Sequence, residues 1–214
     1  MITMITIATL FWERNEATGH YADGYTPEWV ERLYRGFERN LTKPFRFRIF
    51  TDRFRVYSVP VEQHLLTNHA APTYFDCLEP YRLGVPMILV GLDTVVTGNC
   101  DHLAEYCETG TTVALPRDPY KPQRACNGVA LVPAGHADVW FGADRDALPP
   151  RTADMQRLID LPHVFLDDLY PGDVVSYKVN VQRDGLNDAR IVYFHGDQKP
   201  HQVQGVKWLD EAWR

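Results

Sequence analysis

Long apolar runs are missing from this chain of 214 residues. The run Val85–Val90 stops at Gly91, far short of the ~20 apolar residues that cross a bilayer. The opening MITMITIATLF has no basic stretch and no cleavage-like site. A strand that begins at once is expected there, not a signal peptide, and a cytoplasmic location with it. An excess of positive charge is also missing. Lys and Arg number 22 against 28 Asp and Glu, a formal charge of −6. That argues against a surface that clings along its whole extent to nucleic acid or anionic membrane. Repeats and low-complexity tracts are absent, and the 15 prolines and 14 glycines are scattered instead of pooled in a linker. Residues 1–214 therefore read as one domain. With 45% hydrophobic and 23% charged residues the chain can build a core and is no disordered tail.

Cysteine is scarce. Cys77, Cys100, Cys107 and Cys126 do not make a disulfide scaffold in a chain of this size. Cys100, His102 and Cys107 invite a zinc reading, but their spacing matches no common finger or ribbon and a second half-site is missing. Reduced, mostly buried thiols are the expectation.

What is present alternates between strand and helix. Ile2–Phe11 suits a buried strand, followed by a polar loop from Glu13 to Tyr25. Thr26-Pro27-Glu28 opens a helix, with Thr as cap, Pro at the first helical position and Glu at the positive end of the dipole. Val30, Leu33, Tyr34, Phe37 and Leu41 give it one apolar face. Phe45–Phe50 alternates like a strand with one wet face, and Arg55–Val61 reads as another short strand. Pro72–Leu83 reads as a helix disturbed by Pro80. Further strands are expected at Pro86–Val90, Thr111–Leu115, Gly128–Val132, Val174–Val179 and Arg190–Phe194. Helices are expected at Asp101–Cys107, His136–Gly142, Thr152–Leu161 and Gln204–Trp213. The pattern predicts an α/β fold with a mostly parallel central sheet flanked by helices. Ligands of such sheets gather at the carboxyl ends of strands, where this chain carries Thr51-Asp52, Asp93 and a late His195-Gly196-Asp197-Gln198-Lys199.

Two of these segments resemble a known family. PMILVGLDTVVTGNCDHL (Pro86–Leu103) resembles the metal-binding segment of GT-A glycosyltransferases, in which a hydrophobic strand ends in Asp-x-Asp. FHGDQKPH (Phe194–His201) resembles the closing histidine segment of their glycogenin-like branch. YTPEWVERLYRGFERNL followed by FRFRIFTD looks like the opening of small bacterial and phage members, and VVSYK (Val174–Lys178) fits as well. The resemblance covers nearly the whole chain and implies a single Rossmann-like GT-A domain. Such a domain would transfer a sugar from a nucleotide-diphosphate sugar to an acceptor with Mn2+ or Mg2+. It implies that Asp93 and His195 hold the metal and that Gly196 and Lys199 meet the diphosphate. Thr9, Phe11 and Asp52 would lie near the nucleoside, and Asn127 and Asp154 would face the sugar. The chemistry suits those residue types. Breaking the sugar–diphosphate bond loads negative charge on the leaving group, which a dication and a lysine can meet. Glycine removes bulk where backbone approaches phosphate. An acid beside the sugar can act as base or shield an oxocarbenium-like centre. The glycogenin-like likeness leans toward retention of configuration.

The chain departs from the family at Gly91, which stands where the first Asp of Asp-x-Asp belongs. The readings left open are an enzyme with a weakened metal site, one that recruits Asp52 or Asp101, and a non-catalytic nucleotide-sugar-binding protein. A sugar nucleotidyltransferase ranks lower, because LFWERNEATGHY is no Gly-rich phosphate loop. Plainer roles stand beside the functional ones. Asp93 or Asp52 can cap a turn, His195 can be a bonded core histidine, Trp12 can be packing or base pocket, and Asp154 can be an exposed helix acid. Lys43, Arg46, Arg48, Arg53 and Arg55 are either a wet strand face or a surface for an anionic acceptor.

Overall fold

The structure is a computed structural model that describes residues 4–19 and 24–214. Its strands, in chain order, are β1 (Ile5–Phe11), β2 (Phe45–Thr51), β3 (Glu62–Leu65), β4 (Met87–Val90), β5 (Thr94–Val96) and β6 (Val113–Leu115). They continue with β7 (Arg117–Asp118), β8 (Lys121–Ala125), β9 (Val129–Val132), β10 (His163–Phe165), β11 (Val174–Ser176) and β12 (Ile191–Tyr193). Seven of them form the main sheet in the order β10-β6-β9-β4-β1-β2-β3. Within it β9 alone runs against its neighbours, so the sheet is mostly parallel, as expected. β11-β12-β5 form a second, small sheet and β7-β8 a hairpin.

β1 pairs with β2 along its whole length, from Ile5↔Phe45 to Phe11↔Thr51, and with β4 on its other side. The chain therefore changes its direction of travel across the sheet between β1 and β4. At such a switch point the crossovers leave in opposite directions and open a crevice beyond the carboxyl ends of the strands.

Both faces of the sheet are covered. Ile88 and Val90 of β4 feed one core cluster, while Met87 and Leu89 feed the other. A strand buried on both sides reads as a continuous apolar run, and this one does. Helix α1 (Pro27–Asn40) lies in the first cluster, burying Val30, Leu33 and Phe37. Each such side chain contributes about 1.5–3 kcal/mol of transfer free energy. Thr26 stands at its N-cap without a side-chain cap bond, so Pro27 and Glu28 carry the start. Helix α2 (Asp101–Thr109) packs on β4 and β9. On the other face lie a 3-10 helix (Tyr74–Leu83), helix α3 (Asp138–Phe141) and helix α4 (Ala153–Ile159). Pro80 lies inside the 3-10 helix. A capping box holds its start: Thr73 Oγ1 accepts from Phe75 N–H, and Asp76 accepts from Thr73 N–H at 2.7 Å.

Two sequence expectations shift. The strand expected at Arg55–Val61 forms instead at Glu62–Leu65. The Gln63 side chain accepts from Arg55 N–H at 2.8 Å and donates to Arg55 C=O at 2.7 Å. It thereby uses up the groups a ladder would need, and Pro60 offers no donor. The strand expected over Val174–Val179 ends at Ser176, whose hydroxyl accepts from Val179 N–H at 3.2 Å and starts a wide helical turn, Tyr177–Val181. Part of the loop Glu13–Tyr25 and the first residues of the opening strand lie outside the described residues. No helix among the described residues is long and apolar enough to cross a membrane.

Candidate functional site

A cavity of about 400 Å³ opens at the β1/β4 switch point, a volume within the range of small-molecule sites. Leu10 and Trp12 line it from the end of β1, and Gly91, Leu92 and Asp93 from the exit of β4. Asn127 reaches it just before β9, Asp154 and Met155 from α4, and His195, Gly196 and Lys199 from the segment after β12. Because β9 is antiparallel, its start lies at the same edge as the ends of β1 and β4.

The centre of the site is a buried ion pair. Asp93 is 8% exposed and Lys199 7%, and Lys199 Nζ donates to Asp93 Oδ2. Tyr25 joins them: its hydroxyl donates to the same Oδ2 at 3.0 Å and accepts from Lys199 Nζ at 3.0 Å. Burial, reinforced by the Asp93 charge, pushes the Tyr25 phenol well above its ordinary pKa, so it stays a donor. Asp93 also folds back toward position 91. A Cβ there would lie 3.0 Å from Asp93 Oδ1, so glycine leaves room that the carboxylate uses.

His195 is a neighbour of this pair and is held from behind. Its Nε2 lies 2.8 Å from Ser176 Oγ, and its ring meets Tyr120 edge-on at 5.6 Å. Burial lowers its pKa, and Lys178 lowers it further against the opposing pull of Asp93 and Asp118. The imidazole is therefore neutral at neutral pH. Gly196 has φ +69°, a left-handed conformation that favours glycine, and Lys178 Nζ lies 3.3 Å from where its Cβ would stand.

A second polar pair lies on α4. Asp154 is 8% exposed, not the surface acid that its helical position allowed. Asn127 Nδ2 donates to Asp154 Oδ2 at 3.0 Å, and Asn127 N–H lies 3.2 Å from Met155 Sδ. These contacts tie the loop before β9 to the first turn of α4. Burial pushes the Asp154 carboxyl up, and the bonds from Asn127 and the backbone N–H groups hold it back in part.

Asp93, His195, Gly196, Lys199, Asn127 and Asp154 thus share one cavity. Thr9, Phe11 and Asp52 lie apart from it. Ile5, Ile7 and Phe11 face the α1 side of the sheet, and Thr9, fully buried, shares their parity. The even positions turn toward the cavity, so Leu10 and Trp12 form the wall expected of Thr9 and Phe11. Arg55 stacks over Phe11 at 4.1 Å and pairs with Asp52 at 2.8 Å. Asp101 is turned away too, accepting from Thr42 N–H at 2.8 Å. The basic cluster is compensated: Lys43 meets Glu108, Arg46 and Arg48 meet Glu62, and Arg53 meets Glu13. Cys100 and Cys107 are buried and donate to backbone carbonyls, while His102 Nε2 sits 2.5 Å from Asp173. The Cys100–His102–Cys107 group does not converge. Tyr25, Ser176 and Lys178 were not singled out in the sequence. One tyrosine among 11 carries no local mark, although Ser176 and Lys178 lie in the VVSYK segment.

The resemblance to GT-A enzymes implies a divalent cation. Oxygen-rich six-fold coordination suits Mg2+ and Mn2+. Here Asp93 Oδ2 is engaged by an ammonium and a phenol, and His195 Nε2 by a hydroxyl. Gly91 brings no ligand. Among the described residues no group of three or more His, Cys, Asp or Glu could hold a metal ion. The expected Asp93/His195 metal pair does not fit a divalent cation in this arrangement, because the Lys199 side chain already pairs with Asp93.

No family model matches the sequence, and no curated protein matches it. Solved structures do match. The glycosyltransferase GlyE of Streptococcus pneumoniae TIGR4 superposes with a TM-score of 0.61 at 12% identity, over 97% of this chain and 60% of its own. The galactosyltransferase LgtC, solved with donor and acceptor sugar analogs, gives 0.58 at 10% identity, over 97% of this chain and 94% of its own. WbbM, a bifunctional glycosyltransferase, gives 0.62 at 10% identity, over 99% of this chain and 50% of its own. The chain thus spans 60% of GlyE and half of WbbM. Its architecture, a mostly parallel sheet flanked by helices with a crevice at the strand ends, is the α/β fold of GT-A glycosyltransferases.

Proposed function

We propose that this protein is a glycosyltransferase that takes a sugar from a nucleotide-diphosphate donor and passes it to a hydroxyl acceptor. One observation carries the reading above the fold likeness. A single cavity at the switch point holds both a buried ammonium, Lys199, and a buried carboxylate, Asp154. These are the charges that a departing diphosphate and an electron-poor anomeric carbon call for. The sugar analogs bound to LgtC support the same substrate class by analogy of fold.

In the reaction the bond from the anomeric carbon to the β-phosphate oxygen breaks, and its electron pair leaves with the diphosphate. The acceptor oxygen bonds to the anomeric carbon, and its proton passes to the departing diphosphate oxygen. Lys199 draws the diphosphate charge toward the strand ends, and Gly196 lets the backbone approach it. Asp154, fixed by Asn127, faces the sugar and stabilises positive charge as the bond opens. Mn2+ or Mg2+, which the resemblance implies, enters no step here, because the donor set does not fit it.

A thermal-shift screen of nucleotide sugars tests the reading, since a ligand that binds the folded state alone stabilises by mass action. A UDP- or GDP-sugar is expected to raise the melting temperature. A flat response across the whole panel contradicts the proposal.

A further inference from the structure

We infer that Lys199 takes the place of the divalent cation, so that this protein binds the diphosphate of its donor without metal. The inference rests on the functional reading above and says how that same site handles the donor's charge.

A dication bridging protein and diphosphate needs an unencumbered carboxylate and further oxygen donors beside it. Neither condition is met. Gly91 offers no carboxylate, and Asp93 Oδ1 stands 3.0 Å from where a side chain at 91 would begin. A first acid at 91 would have to displace the second from its present position. The other oxygen, Oδ2, accepts from both Lys199 and Tyr25. For a dication to reach it, the Lys199 ammonium would have to leave a buried counter-ion and then sit beside two further positive charges. At these separations that repulsion is large.

Lys199 is itself equipped for the task. An ammonium carries three protons. Asp93 and Tyr25 take two of them, which leaves one for a phosphate oxygen. Tyr25 holds the ammonium in place before ligand arrives, so little reorganisation is needed on binding. Lys178, from the helical turn after β11, brings a second positive charge to the back of this segment, with its Nζ 3.3 Å from where a Cβ on Gly196 would stand. Lys199 in the cavity and Lys178 behind Gly196 supply the positive charge that a dication would otherwise bring.

Calorimetry of UDP and GDP on the full chain, in EDTA and in Mn2+, separates the possibilities. The nucleotide that binds is expected to do so with the same affinity in both buffers, within about twofold. Lys199→Met is expected to weaken binding by at least about tenfold, without rescue by Mn2+. If that variant unfolds, Asp93→Asn serves instead. It frees Lys199 from its counter-ion and is expected to tighten binding in EDTA by about threefold. Binding that is lost in EDTA and returns with Mn2+ overturns the inference while leaving the functional reading intact. Loss of binding in a folded Asp93→Asn protein overturns it as well, since that is how a metal ligand behaves. Failure of both nucleotides to bind in either buffer brings down the functional reading and this inference with it.

Discussion

Lys199 and Asp93, 106 residues apart in sequence, form a buried ion pair on the wall of a cavity that Asp154 also lines. Removing one partner of such a pair leaves an uncompensated charge, which costs far more than the pair contributes. Lys199→Met is expected to destabilise the protein by about 3 kcal/mol. The double variant Asp93→Asn/Lys199→Met should recover much of that loss. Urea unfolding of the single and double variants measures it, and additive effects would show that the two residues are not coupled.

Asp154 makes stability depend on pH. Burial raises its folded pKa above the unfolded value, so the folded state holds the proton more tightly than the unfolded state. The favourable contribution is complete below the ordinary Asp pKa of 3.8. It is lost as pH rises through the raised folded value. Asp154→Asn removes the titration. It is expected to be more stable than the parent at neutral pH, with a flatter melting-temperature profile above the ordinary carboxylate range, and to lose at least about tenfold in turnover. Melting temperatures across a pH series check the first claim and donor turnover the second.

Gly91 offers a gain-of-function test. Gly91→Asp places a second carboxylate beside Asp93, with its Cβ 3.0 Å from Oδ1. Nucleotide affinity in EDTA is expected to fall by about tenfold, and Mn2+ to restore it. Calorimetry with and without Mn2+ reads both.

Gly196 is at φ +69° with Lys178 Nζ close to its missing side chain. Gly196→Ala is expected to cost about 1–2 kcal/mol in stability and to weaken nucleotide binding by displacing Lys178. Denaturant unfolding and nucleotide titration follow the two effects separately.

Asp76 is fully buried, accepting from Thr73 N–H and pairing with Arg145 at 2.6 Å. Asp76→Ala removes the cap of the 3-10 helix and strands the arginine. A loss of about 3 kcal/mol is expected, measurable by thermal or urea unfolding.

The alternation of strand and helix was readable in the sequence because apolar spacing is local. The β4 strand and the helix over Val30, Leu33 and Phe37 appear where the pattern puts them. The β1 end was harder. Ile5–Phe11 is buried on both faces, so no hydrophobic alternation tells which residues open onto the cavity: Thr9 and Phe11 are expected there, Trp12 is left between packing and base pocket, and Leu10 is not named, yet Leu10 and Trp12 line it. Asp154 looked like a surface acid because a short helix carries little period from which to judge its buried side. The charges before, on and after β2 (Lys43, Arg48 and Arg53) found partners at Glu108, Glu62 and Glu13 that no local spacing discloses. The Asp93–Lys199–Tyr25 cluster joins three distant segments, and only folding brings them together.

The central claim is that the cavity at the β1/β4 switch point cleaves a nucleotide-diphosphate sugar. Release of nucleoside diphosphate from a panel of UDP- and GDP-sugars tests it most directly, with parent and Asp154→Asn proteins run in parallel. The account predicts release from at least one donor by the parent, slowed by at least about tenfold in Asp154→Asn. No release from any donor, or equal release by the two proteins, would contradict it.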